Sequence, residues 1–529
     1  MLNNLPILDK SALFELLSNR FREDNKKLSH IPDPALLQDA KKAAKRIATA
    51  ITNKQKITLV GDYDVDGVSS TAIMVDFFRQ IPYPLEAIIP NRFSDGYGVS
   101  PNVLERVEAD LVLTVDNGIT AIEAATICKE KGMDLIITDH HTPSEILPDA
   151  YAIVDPKLPT CNYPFKDICG AQVAWLLLGL VKRELQLNID MRQFLDILVI
   201  AIIADVMPLV DINRTLVKEG LKLIMHSSRP SSIIMRDFLN KSSITSEDIA
   251  FQIAPRINSA GRLEDASIAL EFFTAQTTNK AYKQFELLGQ LNEFRKATEL
   301  QTTQEAVQNV HKEDKIIVVS GEGWHEGVVG IVASRLIDTF SKPAIVLSEN
   351  GMVAKGSARS VGNINIYELI KQHEQLLIKF GGHKMAAGLS IATHNIDAFR
   401  KSINKTASKI PDKDFEPKEQ ITGSIASEDI DFELLKIQEQ FEPFGEANLR
   451  PIFMMKNADI VSITTLGKEK AHCKIELRQF SHDRKTFELI LFRQVLEMPT
   501  TRKLTCSYTI AKNEFNGRES LQLLVKRIY

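Results

Sequence analysis

Short apolar runs alternate with segments of helical periodicity through the first half of the chain. Runs of strand length occupy residues 57–60 (ITLV), 85–90 (LEAIIP), 111–116 (LVLTVD), 134–139 (DLIITD) and 152–155 (AIVD). Between them, residues 68–80 and 119–131 repeat their apolar positions at helical steps. This alternation predicts a parallel, doubly wound α/β sheet, followed by a mostly helical stretch over 171–225.

A second α/β unit is predicted further along the chain. Residues 275–310 have apolar positions at helical steps, no proline and a single glycine, which predicts a long helix joining two domains. Strand-like runs then occupy 315–321, 343–348 and 352–360, with a helix predicted over 326–339. Residues 421–529 change to alternating apolar and polar positions, with a hairpin signal at Asn516-Gly517. That last pattern predicts a small β-barrel of the OB type.

These patterns divide the chain into six parts, and together they define the fold class as two α/β domains joined by a long helix, plus a C-terminal OB-like β-barrel. The parts are an N-terminal helical segment (1–50), a first α/β domain (51–225), a helical region with the connecting helix (226–310), a second α/β domain (311–408), a linker rich in proline and charge (409–420) and the barrel (421–529). A length of 529 residues suits three or four domains, since a domain averages roughly 150 residues.

Composition excludes several classes of protein. Apolar residues make up 44% and charged residues 25%, which argues against a disordered chain. The longest apolar run, 197–204, is far short of the ~20 residues that span a bilayer, so no membrane association is expected. The N-terminus has no signal-peptide pattern, and the five cysteines form no C-x-x-C pair. We therefore expect a reducing, cytoplasmic location and neither a disulfide framework nor a zinc site.

Carboxylates and histidines cluster at the ends of the predicted strands. GDYDVDG carries Asp62, Asp64 and Asp66, and later strands or helices end in Asp116, in Asp139-His140-His141, in Asp155 and in Asp205. Because the carboxyl ends of parallel strands share one edge of a sheet, these side chains could converge there. A cluster of unpaired carboxylates would repel itself and be costly to desolvate, and divalent cations relieve both problems. Oxygen and imidazole donors suit Mn²⁺ or Mg²⁺, and so many donors suit two ions ~3.5–4 Å apart, which can hydrolyse a phosphoester or phosphoanhydride.

These aspartates also fit two other roles. An isolated aspartate after a strand usually caps a helix or a turn. GDYDVDG also has the opening spacing of a calcium loop, with carboxylates at positions one, three and five counted from Asp62. Ile73 stands at position twelve, where that loop needs a glutamate, and a strand rather than a helix precedes it. The calcium interpretation is therefore disfavoured.

The motifs resemble those of a known family. GDYDVDG, VDNG, TDHH, VDP and IIADVMPL (202–209) look like the DHH phosphoesterase superfamily. PRINSAGRL (255–263), GWHEGVVGIVASRL (323–336), KGSARS (355–360) and GGHKMAAG (381–388) closely resemble one branch, the RecJ family of single-strand-specific 5′→3′ DNA exonucleases. The resemblance implies a DHH catalytic domain at 51–225, a DHHA1 domain at 311–408 and a nucleic-acid-binding OB domain at 421–529.

The resemblance also implies roles for individual residues. The metal ligands would be Asp64, Asp66, Asp116, His140 and Asp205. Asp116 would bridge the two ions, and His141 would contact the scissile phosphate. Residues supporting the ligands would be Asp62, Asp139 and Asp155. The substrate's phosphates would be held across a cleft by Arg92, Arg262, Ser357, Arg359, Gly382 and His383.

The residues themselves support the phosphate-binding assignment only in part. A serine beside a planar guanidinium, as in SARS (357–360), is a good phosphate-binding pair. A single arginine more often closes a surface ion pair, and a glycine pair is commonly a plain turn. One segment departs from the family: PFGEANLRPIF (443–453) has Ala447 and Leu449 where the family has glycine and proline.

The charge of the chain is uneven. The net charge is −4, but residues 467–529 contain 13 Lys and Arg against 7 Asp and Glu, a formal +6. The barrel could therefore bind single-stranded DNA, with bases stacking on aromatic side chains. The candidates are Phe480, Phe487, Phe492, Tyr508 and Phe515, most of which we expect in the barrel core.

The leading hypothesis is a 5′→3′ exonuclease of single-stranded DNA that uses two Mn²⁺ or Mg²⁺ ions. By resemblance it would act in recombination and repair, as a monomer, with a single-strand-binding protein and a helicase as partners. The alternative is a DHH phosphoesterase acting on short oligonucleotides or small phosphorylated nucleotides, although the barrel argues against it. A third hypothesis, an inactive relative serving as a replication scaffold, is opposed by the intact ligand set.

Overall fold

The computed structural model describes residues 5–21, 27–416, 420–467, 472–479, 485–492, 494–515 and 518–529, without the side chains of residues 514, 515 and 518. The chain forms two compact units. Unit 1 contains the residues up to Ile88, Gly98–Ala254 and Gln420–Tyr529. Unit 2 contains Ile89–Tyr97 and Pro255–Glu419. The C-terminal barrel therefore belongs to the same compact unit as the first α/β domain.

The first sheet of unit 1 is parallel, as predicted. Its strands are β2 (Ile57–Val60), β3 (Glu86–Ile88), β4 (Leu111–Val115), β5 (Asp134–Thr138) and β6 (Ala152–Val154). They pair in the order β3-β2-β4-β5-β6. The helices of this region are α2 (Ala40–Thr52), α3 (Val65–Gln80), α4 (Pro101–Glu105), α5 (Ile122–Glu130), α6 (Gly170–Glu184), α7 (Leu195–Ala204), α8 (Asp211–His226), α9 (Pro230–Leu239) and α10 (Ser246–Asp248).

Helix α7 is the centre of this domain. Nine of its ten residues are buried, because its sequence LDILVIAIIA is apolar nearly all round. A short π-helical turn over Ile249–Ile253 packs against it and leads into α11 (Ala254–Leu263). Among the described residues, the structure contains no helix that combines the length and the apolarity needed to cross a bilayer.

The C-terminal part of unit 1 is a closed barrel. Its strands are β13 (Phe453–Leu466), β14 (His472–Arg478), β15 (Phe487–Leu491), β16 (Lys503–Phe515) and β17 (Arg518–Ile528), joined in the order β13-β14-β15-β17-β16. The predicted OB-like barrel is thus confirmed. The hairpin turn at Asn516-Gly517 lies outside the described residues, although the two strands that flank it pair antiparallel.

The N-terminal segment contains one element that periodicity did not predict. Besides helix α1 (Lys10–Asn19), it contains a two-residue strand, β1 (Ile7–Leu8), which pairs in parallel with β12 (Ser424–Ile425) next to the barrel. Helix α1 packs against α17 (Phe432–Glu439), and Leu13 and Leu17 are fully buried in the barrel's core cluster. A strand of two residues is too short to show alternation, which is why the sequence pattern missed it.

Unit 2 is built on a mixed sheet with the order β10-β11-β9-β8-β7. The strands are β7 (Ile317–Glu322), β8 (Ala344–Asn350), β9 (Val353–Arg359), β10 (Leu377–His383) and β11 (Ala386–Ala392). Only β7 and β8 run parallel, and GGHKMAAG forms the antiparallel β10–β11 turn. The helices are α12 (Ser267–Phe273), α13 (Thr278–Gln308), α14 (Val329–Phe340), α15 (Ile366–Lys371) and α16 (Ile396–Ala407).

Helix α13 is the long connecting helix that the sequence predicts, and it precedes the second sheet along the chain. Two residues of the predicted linker, 409–420, accept hydrogen bonds from the rest of unit 2. Lys315 Nζ donates to the carbonyl oxygen of Ile410 at 2.9 Å, and the Asn363 amide donates to the carbonyl oxygen of Asp414 at 2.8 Å.

Candidate metal centre

The carboxyl edge of the first sheet gathers the predicted ligands. Asp64 caps helix α3 by accepting a hydrogen bond from the Gly67 amide at 3.1 Å, and Asp66 lies in the first turn of that helix. Asp116 directly follows β4, and His140 follows β5 by two residues. Asp205 ends helix α7. Neighbouring parallel strands end at one edge, so residues separated along the chain meet there.

His140 is the point on which three carboxylates converge. Its Nε2 lies 3.2 Å from Asp116 Oδ1, 3.5 Å from Asp205 Oδ2 and 3.6 Å from Asp66 Oδ2. These carboxylates come from three different elements of the fold. The side chains of Asp66 and Asp116 are each only 1% exposed, whereas that of Asp205 is 27% exposed.

Three groups of donor atoms could each hold a cation. In each group the ligand atoms lie within 4.8 Å of one another. The groups are Asp116-His140-His141, Asp66-His140-Asp205 and Asp62-Asp64-Asp116. Asp116 and His140 each belong to two groups, which is the sharing that two adjacent ions require. All five predicted ligands are brought together, and so are Asp62 and His141.

Within the part of the chain that the structure describes, several buried donor atoms of this cluster make no hydrogen bond. They are Asp62 Oδ1, Asp116 Oδ1, Asp205 Oδ2 and both ring nitrogens of His140. A buried polar atom without a partner costs its full desolvation penalty, roughly 1–3 kcal/mol and more when charged. The donor set is hard oxygen plus imidazole, so divalent cations such as Mn²⁺ or Mg²⁺ fit it and would supply the missing partners.

The pKa values of several clustered aspartates are raised, because burial and neighbouring carboxylates both disfavour their ionised forms. Burial, with Asp66 and Asp64 adding to it, raises the pKa of Asp116 well above its usual range. Burial and the same two neighbours raise the pKa of Asp205 to about 8. Burial also raises the pKa of Asp62 and Asp66. This crowding of buried carboxylates favours the binding of cations.

Asp139 organises the two histidines rather than joining the cluster. Its carboxylate is buried and accepts hydrogen bonds from the amides of Ile119 (2.9 Å), His140 (2.7 Å) and His141 (3.1 Å). It also lies 2.7 Å from Nδ1 of His141. Burial lowers the pKa of His141, but the contact with Asp139 outweighs burial and raises that pKa to about 9. The contact engages Nδ1 of His141 and favours the protonated form of its ring.

Asp155, the third predicted supporting residue, follows β6 and is fully buried. One oxygen accepts a hydrogen bond from the Lys157 amide at 2.7 Å, and Oδ2 has no partner among the described residues. Burial raises the pKa of Asp155 to about 7. The structure does not place Asp155 in any of the three donor groups.

The N-terminus of helix α6 contributes backbone donors that the sequence analysis missed. The amides of Gly170 and Ala171 donate to the two oxygens of Asp66 at 2.6 and 2.8 Å. A side chain at Gly170 would not fit, because its Cβ would lie 2.5 Å from Cβ and Oδ1 of Asp116. The only signal in the sequence is a glycine at the start of an apolar helix, which by itself indicates no chemistry.

Asn117 is a second residue that the sequence analysis passed over. It is fully buried, and its Nδ2 donates to the carbonyl oxygens of Val60 (3.1 Å) and Val115 (2.9 Å). Its Oδ1 accepts a hydrogen bond from the Val99 amide at 2.9 Å. Asn117 thus ties β2 to β4 beside Asp116, whose backbone is left-handed with φ 63°. Its place in VDNG, next to a ligand, was the available signal.

Unit 2 contains a separate candidate site for an anion. On β9, Nη1 of Arg359 donates to Oγ of Ser357 at 2.8 Å. The first turn of α14 lies against both, since a Cβ at Gly330 would be 3.1 Å from Ser357 Oγ and 3.2 Å from Arg359 Nη2. Burial lowers the pKa of Arg359, and among the described residues no carboxylate pairs with it. A desolvated guanidinium beside a helix N-terminus is suited to bind phosphate.

The other predicted phosphate-binding residues also belong to unit 2. Arg262 Nη1 donates to the carbonyl oxygen of Gly327 at 3.4 Å, in the loop that leads into α14. His325 lies in the same loop. Burial lowers the pKa of His325, and the positive charge of the nearby Arg92 lowers it further. The sheet register links His383 through Ala386 to Arg359, and Gly382 through Ala387 to Ala358. The mixed sheet therefore aligns GGH with SARS across three strands.

Three of the five aromatic candidates in the barrel have described side chains, and most of these lie in the core, as expected. Phe487 and Tyr508 are buried in the core. Phe492 is 56% exposed, and its ring centroid lies 5.4 Å from that of His472, edge to face. Phe480 and the side chain of Phe515 lie outside the described residues.

The segment that departs from the family connects the barrel to the first domain. Ala447 has a left-handed backbone, φ 58°, which explains why a glycine is expected there. The Leu449 carbonyl oxygen accepts a hydrogen bond from Arg20 at 2.8 Å. The Leu209 amide, four residues after Asp205, donates to the carbonyl oxygen of Glu446 at 2.7 Å. The departure therefore leaves the segment folded onto the first domain.

Three comparisons with known proteins match this architecture. Residues 56–202 match the N-terminal domain of the DHH family, residues 313–409 the DHHA1 domain and residues 421–527 the RecJ OB domain. The single-stranded-DNA-specific exonuclease RecJ of Haemophilus influenzae is 33% identical, over 99% of this chain and 96% of the relative. Its counterpart in Bacillus subtilis is 35% identical over 93% of this chain, which spans only 64% of that relative's length.

Solved structures give the same result. RecJ from Thermus thermophilus in complex with Mn²⁺ aligns with a TM-score of 0.82 at 28% identity, covering 98% of this chain and 76% of that chain. A crystal structure of exonuclease RecJ bound to manganese aligns with a TM-score of 0.63 at 34% identity, covering 71% of this chain and 96% of that chain.

Proposed function

This chain belongs to the RecJ family of single-stranded-DNA-specific exonucleases, and from that premise we infer that it degrades single-stranded DNA from the 5′ end in a reaction that depends on divalent cations. The observation that carries the inference is the convergence of Asp66, Asp116 and Asp205 on His140, with buried donor atoms that lack partners.

Two cations, Mn²⁺ or Mg²⁺, would be held by Asp64, Asp66, Asp116, His140 and Asp205. Asp116 and His140 each belong to two of the three donor groups, and of the two the carboxylate of Asp116, which has two oxygens, would be the ligand shared by both cations. When bound, such cations activate water and neutralise charge on a phosphodiester. Solved structures of relatives contain Mn²⁺ in one case and Mg²⁺ in another, which supports either ion.

The protein's own residues prepare the site for a phosphodiester. Asp139 fixes the ring of His141 and raises its pKa, which would suit His141 to stabilise the scissile phosphate electrostatically. The two amides at the start of α6 hold Asp66 in one orientation. Asn117 sets the separation between the ends of β2 and β4, and hence between Asp64 and Asp116.

The 5′ polarity would come from unit 2. Ser357, Arg359 and the first turn of α14 form an anion site that suits a terminal phosphate, and Arg92 and Arg262 add positive charge near the same loop. Gly382 and His383 extend this set along the sheet. The C-terminal part of the barrel, residues 467–529, has a formal charge of +6 and would bind the backbone of the strand. A cytoplasmic monomer working with a single-strand-binding protein and a helicase remains a prediction.

The activity can be tested with a 5′-phosphorylated single strand and with a dinucleotide. We expect Mn²⁺-dependent release of mononucleotides from the long strand, abolished by Asp116→Ala or His140→Ala while DNA binding stays largely intact. Near-normal turnover by either variant would show that the ligand assignment is wrong. Faster hydrolysis of the dinucleotide would instead favour the small-substrate phosphoesterase, and no release from either would favour the scaffold.

The terminal-phosphate site has its own test. Arg359→Lys keeps the positive charge but removes the planar fork that grips a phosphate. We expect this variant to lose most of the preference for a 5′-phosphate over a 5′-hydroxyl, while metal dependence is unchanged. An unchanged preference would remove Arg359 from the site.

A further inference from the structure

A turn in unit 2 is built to present one aromatic ring. Asn91 Oδ1 accepts hydrogen bonds from the amides of Phe93 (2.9 Å) and Ser94 (3.3 Å), and the Asp95 carboxylate accepts one from the Asn91 amide (2.9 Å). Nδ2 of Asn91 donates to the carbonyl oxygen of Glu264 at 3.0 Å, which anchors the turn to the end of α11. Side-chain bonds of this kind fix a turn locally. The position of residue 93 is therefore well determined.

The ring that this turn presents is half exposed. Phe93 is 48% exposed, and its centroid lies 5.7 Å from that of His325 at an interplanar angle of 85°. His325 is itself held in place, because its Nδ1 accepts a hydrogen bond from the Gly327 amide at 3.0 Å. The edge-to-face contact orients the ring of Phe93 and leaves part of its surface open to solvent.

Phe93 lies beside the candidate terminal-phosphate site. Arg92 is its chain neighbour, and the loop that holds His325 also contacts Arg262 through Gly327. A nucleotide has a flat base and a charged phosphate. The exposed ring of Phe93 suits the base, and the neighbouring arginines suit the phosphate. Stacking on an aromatic ring tolerates every base, which an enzyme that removes nucleotides regardless of sequence requires.

We propose that Phe93 is the surface on which the 5′-terminal base of single-stranded DNA stacks while Arg92, Arg262, Ser357 and Arg359 hold its phosphate. His325 positions the ring and does not itself contact the nucleotide. This inference rests on the proposed exonuclease function and adds a second recognition element, the terminal base, to the terminal phosphate.

The test uses the full chain with Mn²⁺ and two 5′-phosphorylated single strands that differ only at the first nucleotide. One strand begins with thymidine and the other with an abasic tetrahydrofuran residue. For the unaltered enzyme we expect a KM roughly 5- to 150-fold higher for the abasic strand, the range measured when one base–aromatic contact is removed. Phe93→Ala should raise KM for the thymidine strand by a similar factor and leave KM for the abasic strand nearly unchanged.

Two further variants serve as controls. Phe93→Tyr retains the ring and should behave as the unaltered enzyme does. Phe294→Ala removes another exposed phenylalanine of unit 2, on α13, and should affect neither substrate.

The possible failures point to different conclusions. If Phe93→Ala raises KM equally for both strands, or changes neither, the stacking role is refuted while the exonuclease assignment stands. If the unaltered enzyme has equal KM values for the thymidine and abasic strands, the stacking role of Phe93 is likewise refuted and the exonuclease assignment stands. If the unaltered enzyme releases nothing from either strand, the proposed function fails, and this inference fails with it.

Discussion

Replacing Gly170 by alanine tests whether the start of helix α6 sets the geometry of the metal centre. The added Cβ would lie 2.5 Å from both Cβ and Oδ1 of Asp116, whereas ordinary contacts begin at 3.4 Å. The overlap of about 0.9 Å must be relieved by moving either the helix or the carboxylate. Either movement disturbs the site, because the Gly170 amide also holds Asp66 at 2.6 Å.

Two magnitudes follow from this overlap. Forcing an extra carbon into a packed core typically costs about 1–3 kcal/mol of unfolding free energy. A displacement of ~1 Å at a catalytic group can lower the rate by about 10²-fold. We therefore expect Gly170→Ala to lose roughly two orders of magnitude in kcat/KM with a moderate loss of stability. Its stabilisation by Mn²⁺ should also be weaker than that of the unaltered protein.

The assays are mononucleotide release and thermal unfolding, each with and without Mn²⁺. Gly179→Ala is the matched control, because it lies on the same helix and its added Cβ would have no neighbour within 4 Å. That variant should keep full activity and gain about 0.5–1 kcal/mol from alanine's better helix propensity. Normal activity and normal Mn²⁺ stabilisation in Gly170→Ala would refute the idea that α6 fixes the ligand positions.

Three more predictions concern other parts of the chain. Burial raises the pKa of Asp155 to about 7 in the folded state, so its contribution to stability is present below about pH 4 and is lost as pH rises through 7. Asp155→Asn removes the titrating carboxyl, so its free energy of unfolding should not show this loss. Measured by urea unfolding in the presence of a chelator, the difference in unfolding free energy between the variant and the unaltered protein should grow in favour of the variant by up to ~1.4 kcal/mol per pH unit between about pH 4 and 7. Replacing the exposed Lys526 and Arg527 by alanine should lower the salt dependence of single-strand binding by about 0.7 per lost phosphate contact. Ala447→Gly should stabilise the protein by about 0.5–1 kcal/mol, because glycine adopts its left-handed backbone without strain.

Each of these has a clear contrary result. A pH-independent difference between Asp155→Asn and the unaltered protein would show that Asp155 is ionised in the folded state. An unchanged salt slope would place the DNA path away from the last strand of the barrel. For the glycine substitution, Ala426→Gly is the control: its φ is −68°, so it should lose stability where Ala447→Gly gains it.

Much of the candidate site was accessible to sequence reasoning because its ligands sit at strand ends. Asp116 and His140 each follow an apolar strand of five residues, and parallel strands bring their carboxyl ends to one edge whatever lies between them. The same reasoning did not predict that Asp62 and His141 would lie this close to the ligands. Both lie within the donor groups, which depends on side-chain directions that strand position does not specify.

Residues that act through the backbone or through packing were not accessible in this way. Gly170 matters because a distant carboxylate occupies the space where its Cβ would be, and Asn117 because its amide spans two strands. Strand β1 was missed because only a partner more than 400 residues away, β12, makes it a strand.

By itself, the sequence determined the types of element, their order and the chemistry of the donors, since periodicity and residue type are local properties of the chain. Only the tertiary structure decided which oxygens meet at His140, which amides hold Asp66 and how much of Phe93 stays exposed. Those outcomes depend on distances of a few ångströms between segments far apart along the chain, and such distances are fixed only when the core packs.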